Sequence, residues 1–178
     1  MNPKQFIKLV FCVIVGVIWV FLLQNLFLIN ALGGLIAGGG MNLPQFLASA
    51  SSPSFQALWF TCAAVTLIWL FTTTKKRPVN SAEVREMQPT WWICMTALVL
   101  LGWFYQLLFN VLIWQLSGTA PVEGLDAKYF PVPPEGWATL LVLVIFDVGL
   151  LFWLPTVCAS PKSYRLVVPG AMKFPGAR

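Results

Sequence analysis

Long apolar stretches alternate with shorter polar segments along this chain of 178 residues. The apolar stretches cover approximately residues 9–30, 55–71, 91–114 and 137–158. A helix needs roughly 20 apolar residues to cross a bilayer core about 30 Å thick, and each stretch is close to that length. The pattern therefore predicts an all-α, polytopic membrane protein. We expect a four-transmembrane-helix bundle, organised as a single integral membrane domain over residues 1–178.

The basic residues are distributed unevenly among the segments that flank these stretches. Ten of the eleven lie before the first stretch, between the second and third, or after the fourth. The exception is Lys128, between the third and fourth stretches. Because Lys and Arg collect in cytoplasmic loops, this distribution predicts that both the N and the C terminus lie on the cytoplasmic side. Residues 159–178 then form a basic cytoplasmic tail.

The tryptophans support the same topology. Indole rings prefer the membrane interface, because the ring is apolar while its N–H seeks a polar partner. We expect Trp59, Trp114 and Trp137 at the outer interface, opposite a second group at the inner one. Trp19 and Trp103 fall near the middle of their stretches.

The composition limits the chemistry that this chain can perform. With 10% charged and 58% hydrophobic residues, it is not an ordinary soluble domain. It has no histidine, which excludes His-ligated haem, His-bearing zinc sites and a histidine general base. Its four cysteines form no CxxC pair, so we expect neither a disulfide framework nor a metal site, and no cofactor.

Three of these cysteines, Cys12, Cys94 and Cys158, fall near the inner ends of their stretches. The simplest interpretation is that they are small apolar packing residues. A thiol cluster or a lipid-attachment site is the alternative.

The net charge of +5 follows from the same inside bias. It is spread over three segments rather than one arm, so we expect no nucleic-acid partner. Anionic lipid headgroups of the bilayer, or an acidic surface of another membrane-protein subunit, are the expected partners. The candidate contact residues are Lys75, Lys76, Arg77, Arg85, Lys162 and Arg165.

The polar segments on the inner side suggest limited local structure. Between the second and third stretches, Asn80 or Ser81 can cap a short helix that Pro89 would end. The tail contains three prolines and cannot form one continuous helix. It could lie along the inner surface or dock on another subunit.

Asp147 is the main candidate for chemistry. It lies about ten residues into the fourth stretch, hence about 15 Å deep at 1.5 Å per residue. A carboxylate at that depth is costly and normally faces a partner or a cavity. No Lys, Arg or His lies inside any of the four stretches. Two interpretations remain open: a hydrogen bond that fixes helix packing, or a proton- or cation-binding group.

Possible partners for Asp147 lie on the other three stretches. Gln106 and Asn110 follow Gly102 at spacings of four residues, which places all three on one helix face. Together with Gln24 of the first stretch and Thr61 of the second, they define a possible intramembrane polar site. We expect Asp147, Gln106, Gln24 and Thr61 to converge in the outer half of the bundle.

These features favour a non-catalytic integral membrane subunit, an assembly or scaffold factor of a larger membrane complex. The alternative is a small transporter or channel component that uses Asp147. No nucleophile–base pair and no metal-binding motif is visible, so we do not expect an enzyme.

Overall fold

The computed structural model describes residues 3–38, 52–76, 78, 80–113 and 134–173. Four long helices account for most of them. In α1, an α-helix over Pro3–Ile18 continues through a π-helical turn (Trp19–Leu23) into a second α-helical part (Gln24–Gly38). The next helix, α2, spans Ser52–Lys75.

The third helix, α3, spans Ser81–Leu107 and continues as a π-helical segment, Leu108–Ile113. In α4, an α-helical part (Pro134–Val148) is followed by a π-helical turn (Gly149–Trp153) and a last α-helical part (Leu154–Ala159). The described residues contain no β-strand.

All four helices are long and apolar enough to cross a membrane, which confirms the helical part of the prediction. The candidate spans are Phe6–Ala31, Pro53–Lys75, Ser81–Asn110 and Gly136–Ala159. Only the third span begins far from its predicted start at residue 91. The short helix that was expected to end at Pro89 instead continues through this proline and forms the first part of α3. Proline removes one backbone hydrogen bond to the residue four positions earlier, here Arg85. That turn is exposed, so water can replace the lost bond.

The fourth helix is the centre of the bundle. It packs against each of the other three helices, whereas α1 packs mainly along α4, and α2 packs on α3 and α4. Half of the most apolar window of α4 is buried, compared with 17% in α1 and in α3. A residue on α4 can therefore contact side chains from all of the other helices.

Glycine allows two of these helix contacts to be close. A Cβ atom at Gly102 of α3 would lie 2.5 Å from Val144 of α4 and 3.1 Å from Leu58 of α2. A Cβ atom at Gly16 of α1 would lie 2.9 Å from Leu151 of α4. Small residues let helix backbones approach in this way, which strengthens packing where lipid provides no hydrophobic driving force.

The described part of the tail folds back and packs on the end of its own bundle at which α2 ends and α3 begins. Two 3₁₀ turns, Lys162–Tyr164 and Ala171–Lys173, shape it. Beyond the end of α4, its buried residues in the described part of the chain are Ser160, Tyr164, Arg165, Val167, Val168 and Ala171. Thus the segment expected to lie on the inner surface or on another subunit is a packed part of the fold.

Two contacts fix the tail in this position. The indole of Trp153 donates a hydrogen bond to the backbone oxygen of Pro169 at 2.9 Å. The next residue, Gly170, has φ +83 and lies against the same indole ring. Glycine adopts this left-handed conformation at little cost, so the chain can turn here.

Candidate functional site

Asp147 lies near the middle of α4, one residue before the α-helical part ends at Val148. Its exposed fraction is 0%, and it faces the interior of the bundle. A buried carboxylate must find hydrogen-bond donors, since its desolvation is otherwise very costly. The surrounding helices provide them.

Three N–H groups donate to the two carboxylate oxygens. The indole Nε1 of Trp19 donates to Oδ1 at 2.7 Å. The amide Nε2 of Gln24 donates to Oδ2 at 2.9 Å, and the indole Nε1 of Trp59 donates to the same oxygen at 3.1 Å. Asp147, Trp19, Gln24 and Trp59 form what we call the Asp147 cluster, which joins α1, α2 and α4.

The π-helical turns determine which side chains reach Asp147. A π turn holds one residue more than an α turn, so it changes the direction of later side chains by roughly 100°. Trp19 begins the π turn of α1, and Gln24 follows it directly. Both can therefore donate to one carboxylate although they are five residues apart, a spacing that does not align side chains on a regular α-helix.

Aromatic neighbours hold the two indoles. The ring of Trp19 packs on Phe146 with centroids 4.5 Å apart, and the ring of Trp59 lies 6.1 Å from Phe21. Tilted aromatic pairs of this kind stabilise their orientation. The two indole donors are thus held by aromatic contacts as well as by their hydrogen bonds to the carboxylate.

The chemistry of this site follows from its donors. Magnesium and calcium are bound by oxygen ligands, whereas the hydrogen-bonding neighbours of Asp147 are N–H groups that repel a cation. Among the described residues, no group of three or more His, Cys, Asp or Glu side chains is placed to hold a metal ion. The arrangement is that of a carboxylate used as an acceptor between helices.

A second cluster of polar side chains is buried between α2 and α3. The Ser54 hydroxyl donates to Gln106 Oε1 at 3.0 Å, and Asn110 Nδ2 donates to the same oxygen at 2.8 Å. Asn110 Nδ2 also donates to the backbone oxygen of Gln106 at 2.9 Å. We call Ser54, Gln106 and Asn110 the Gln106 cluster.

Hydrogen bonding is incomplete around both clusters. In the described part of the chain, Gln106 Nε2 and Asn110 Oδ1 are buried without a partner. Gln24 Oε1, at the edge of the Asp147 cluster, also lacks one there. The carboxylate itself, by contrast, has three donors.

The expected convergence around Asp147 is therefore only partly present. Gln24 contacts the carboxylate, but Gln106 and Asn110 bond within their own cluster. Thr61 donates to the backbone oxygen of Ala57 at 2.7 Å, and its hydroxyl lies 3.1 Å from the hydroxyl of Tyr105. Because donors on α1 and α2 complete the Asp147 cluster, the polar stripe of α3 does not take part in it.

The sequence analysis missed the two indole donors. Trp59 was expected to seek a polar partner at the outer interface, yet its N–H points to Asp147 inside the bundle. A signal was available for Trp19, because an indole near mid-membrane needs a buried acceptor for its N–H. Asp147 is the acceptor at the same depth.

Most of the candidate basic residues are exposed on the surface, at the end of the bundle where α2 ends and α3 begins. Lys75, Lys76, Arg85 and Lys162 are exposed, and Lys75 Nζ lies 4.3 Å from the ring centroid of Phe71. Arg165 is only 6% exposed and is enclosed by the folded tail. Arg77 lies outside the described residues.

Comparison of this chain with protein-family models, with curated proteins and with solved structures finds no match. The functional inference consequently depends on the residues and contacts described above.

Proposed function

We propose that this chain is a non-catalytic integral membrane subunit, an assembly or scaffold factor of a larger membrane complex. The observation that carries this proposal is the state of Asp147. Its two oxygens already accept three N–H donors from neighbouring helices. A carboxylate bound in this way holds helices in register and is poorly placed to exchange a cargo ion.

The surroundings of Asp147 also argue against a transport pathway. A proton or cation pathway needs polar groups that lead from one side of the membrane to the other. Asp147 is fully enclosed, and the nearby Gln106 cluster consists of uncharged side chains. Toward the inner end, the folded tail buries Tyr164, Val167 and Val168 against the bundle.

The outer surface of the bundle suits lipid and subunit contacts. Large apolar side chains are exposed along α1, including Phe11, Ile14 and Phe21. The exposed basic residues lie at the end from which α2 leaves and α3 begins. With both termini on the cytoplasmic side, this basic surface would meet anionic headgroups or an acidic partner surface.

The orientation can be tested directly. Single-cysteine accessibility or reporter fusions at position 81 and at the exposed position 172 should give cytoplasmic signals, and at positions 51 and 127 outer signals. Labelling of position 81 or 172 from outside would contradict the proposed topology.

Purification from native membranes in a mild detergent tests the role as a subunit. The tagged chain should elute with other membrane proteins in a fixed stoichiometry. Replacing Lys75, Lys76 and Arg77 with Gln should weaken this association in a salt-dependent way, because charge attraction is screened by salt. The control replaces Lys162, Lys173 and Arg178, which removes the same number of charges elsewhere on the same predicted side.

The transporter alternative makes the opposite prediction. The purified chain, reconstituted alone in liposomes, would carry protons or cations, and Asp147→Asn would abolish the flux while the protein stays folded. That outcome, together with elution as an isolated chain, would refute the scaffold proposal.

A further inference from the structure

An apolar groove runs along the surface of the bundle between α1 and α2. Both helices pack on α4 rather than mainly on each other, so a space remains between them. Two adjoining cavities, of about 360 Å³ and about 600 Å³, make up this space, and Leu9 of α1 and Leu67 of α2 line both of them. The third wall is α4, which contributes Leu151, Pro155 and Ala159. We call this space the α1–α2 groove.

The α1–α2 groove opens toward the surrounding lipid and is apolar along its length. On its α2 side, Phe60 and Phe71 are 76% and 61% exposed. Two threonines also line the groove, but both hydroxyl groups donate to backbone oxygens. Thr66 donates to Leu151 at 3.0 Å, and Thr74 donates to Phe71 at 3.1 Å. Since these hydroxyl hydrogens are already used, the groove suits an apolar chain.

Positive charge stands at one end of this groove, where Leu9 and Phe71 line it together. The ammonium group of Lys75 lies 4.3 Å from the ring centroid of Phe71, so a cation–π contact holds it at the edge of the groove. On α1, Lys8 lies one turn before Cys12, which lines the groove, and the spacing of four residues places both on one helix face. The groove thus combines a long apolar wall with a cationic end.

The length of the groove suits one leaflet of a bilayer. Along α2 the groove extends from Trp59 to Thr74, which is about 22 Å at 1.5 Å per residue. Half of a hydrocarbon core about 30 Å thick is about 15 Å. A lipid whose headgroup lies at the cationic end would therefore contact protein along the full depth of its leaflet.

We propose that the α1–α2 groove binds one acyl chain of an anionic phospholipid, whose phosphate group contacts Lys75 and Lys8. The apolar wall by itself gives little selectivity, because the surrounding lipid tails are equally apolar. The lysines supply the preference, since basic side chains at the membrane surface attract anionic headgroups. A membrane helix of another chain would also cover apolar surface, but the cationic end favours a ligand that has one anionic group and an apolar chain.

Native mass spectrometry of the full-length chain in mild detergent tests the headgroup contact. Dioleoylphosphatidylglycerol and dioleoylphosphatidylcholine carry the same acyl chains and differ in headgroup charge. One phosphatidylglycerol should stay bound per chain, with an affinity about tenfold higher than that of phosphatidylcholine. Lys75→Gln should lower the affinity for phosphatidylglycerol about fivefold, the effect of one lysine near an anionic lipid, and leave phosphatidylcholine binding unchanged. Lys76→Gln removes the same charge from the next exposed residue and should leave both affinities nearly unchanged.

A pair of neighbouring alanines tests the apolar part of the site. Ala63 and Ala64 are both exposed on α2, but of the two only Ala63 lines the groove. Ala63→Phe should fill the groove and lower the affinity for both lipids about tenfold or more, because the acyl chain loses its contacts with the wall. Ala64→Phe adds the same side chain outside the groove and should have no such effect. Unchanged circular dichroism confirms the fold of each variant, and the lysine pair decides the proposal if Ala63→Phe does not fold.

Three results would overturn the proposal. The first is equal affinity for the two lipids, or equal effects of the two lysine variants, because neither outcome requires the cationic end. The second is an equal effect of the two phenylalanine variants. The third is a protein that co-purifies in place of the lipid and is lost in Ala63→Phe, which would identify a partner helix as the occupant. The assay uses the isolated chain, so its failure and the failure of the scaffold proposal are distinguishable.

Discussion

The Asp147 cluster, on α1, α2 and α4, and the Gln106 cluster, between α2 and α3, are both buried, yet they differ in how completely their central side chain is hydrogen-bonded. Each carboxylate oxygen of Asp147 has at least one donor. In the Gln106 cluster, one amide nitrogen and one amide oxygen have no partner in the described part of the chain. Burial alone therefore does not show that every polar atom of a site is hydrogen-bonded.

This difference has a physical consequence for stability. A buried polar group that loses its only partner keeps the full cost of its desolvation. Removing Asp147 would leave three donors in that state. Removing Gln106 would take away one group that is already unsatisfied, so the two clusters should respond very differently to similar substitutions.

Asp147→Leu should have the largest effect. The side chains are similar in size, but leucine accepts no hydrogen bond, so Trp19, Gln24 and Trp59 lose their acceptor. With about 1 kcal/mol for each bond in a membrane protein, the loss in unfolding free energy should be about 2–4 kcal/mol. Unfolding in mixed detergent micelles measures it. Ile145→Leu, on the exposed side of the same helix turn, is the control and should be nearly neutral.

Asp147→Asn should have an intermediate effect of about 1 kcal/mol. An amide offers one oxygen, which can still serve Gln24 and Trp59, but its NH₂ group then faces the donor N–H of Trp19. Adding Trp19→Phe removes the unpaired indole N–H, so the two costs should not add. Strict additivity in this double-mutant cycle would contradict the direct bond.

Gln106→Leu should have the smallest effect, about 0.5 kcal/mol or less. Ser54 loses its acceptor on residue 106, but Asn110 keeps its bond to the backbone oxygen of residue 106, and the unsatisfied Nε2 is removed. The same unfolding assay applies. A loss of unfolding free energy as large as that of Asp147→Leu would show that the two clusters contribute equally to stability, which would contradict the expected difference.

The sequence by itself predicted the four helices, and it predicted that Asp147 faces a hydrogen-bond partner inside the bundle. Apolar stretches of membrane-spanning length are a local signal, and a carboxylate inside one is rare enough to mark a buried contact. Gln24 was recognised as one of its partners because it is a polar residue at a similar depth.

The tertiary structure decided which of the candidate side chains meet. Helical periodicity gives the faces of a regular helix, but the π-helical turns at Trp19–Leu23 and Gly149–Trp153 rotate the faces that follow them. The turn in α1 lets Trp19 and Gln24 reach one carboxylate, whereas the docking of α2 against α4 brings Trp59 to it and leaves Gln106 and Asn110 in a separate cluster. The packing of the tail likewise arises between distant segments. Contacts of that kind depend on how helices dock, which no local pattern in the sequence specifies.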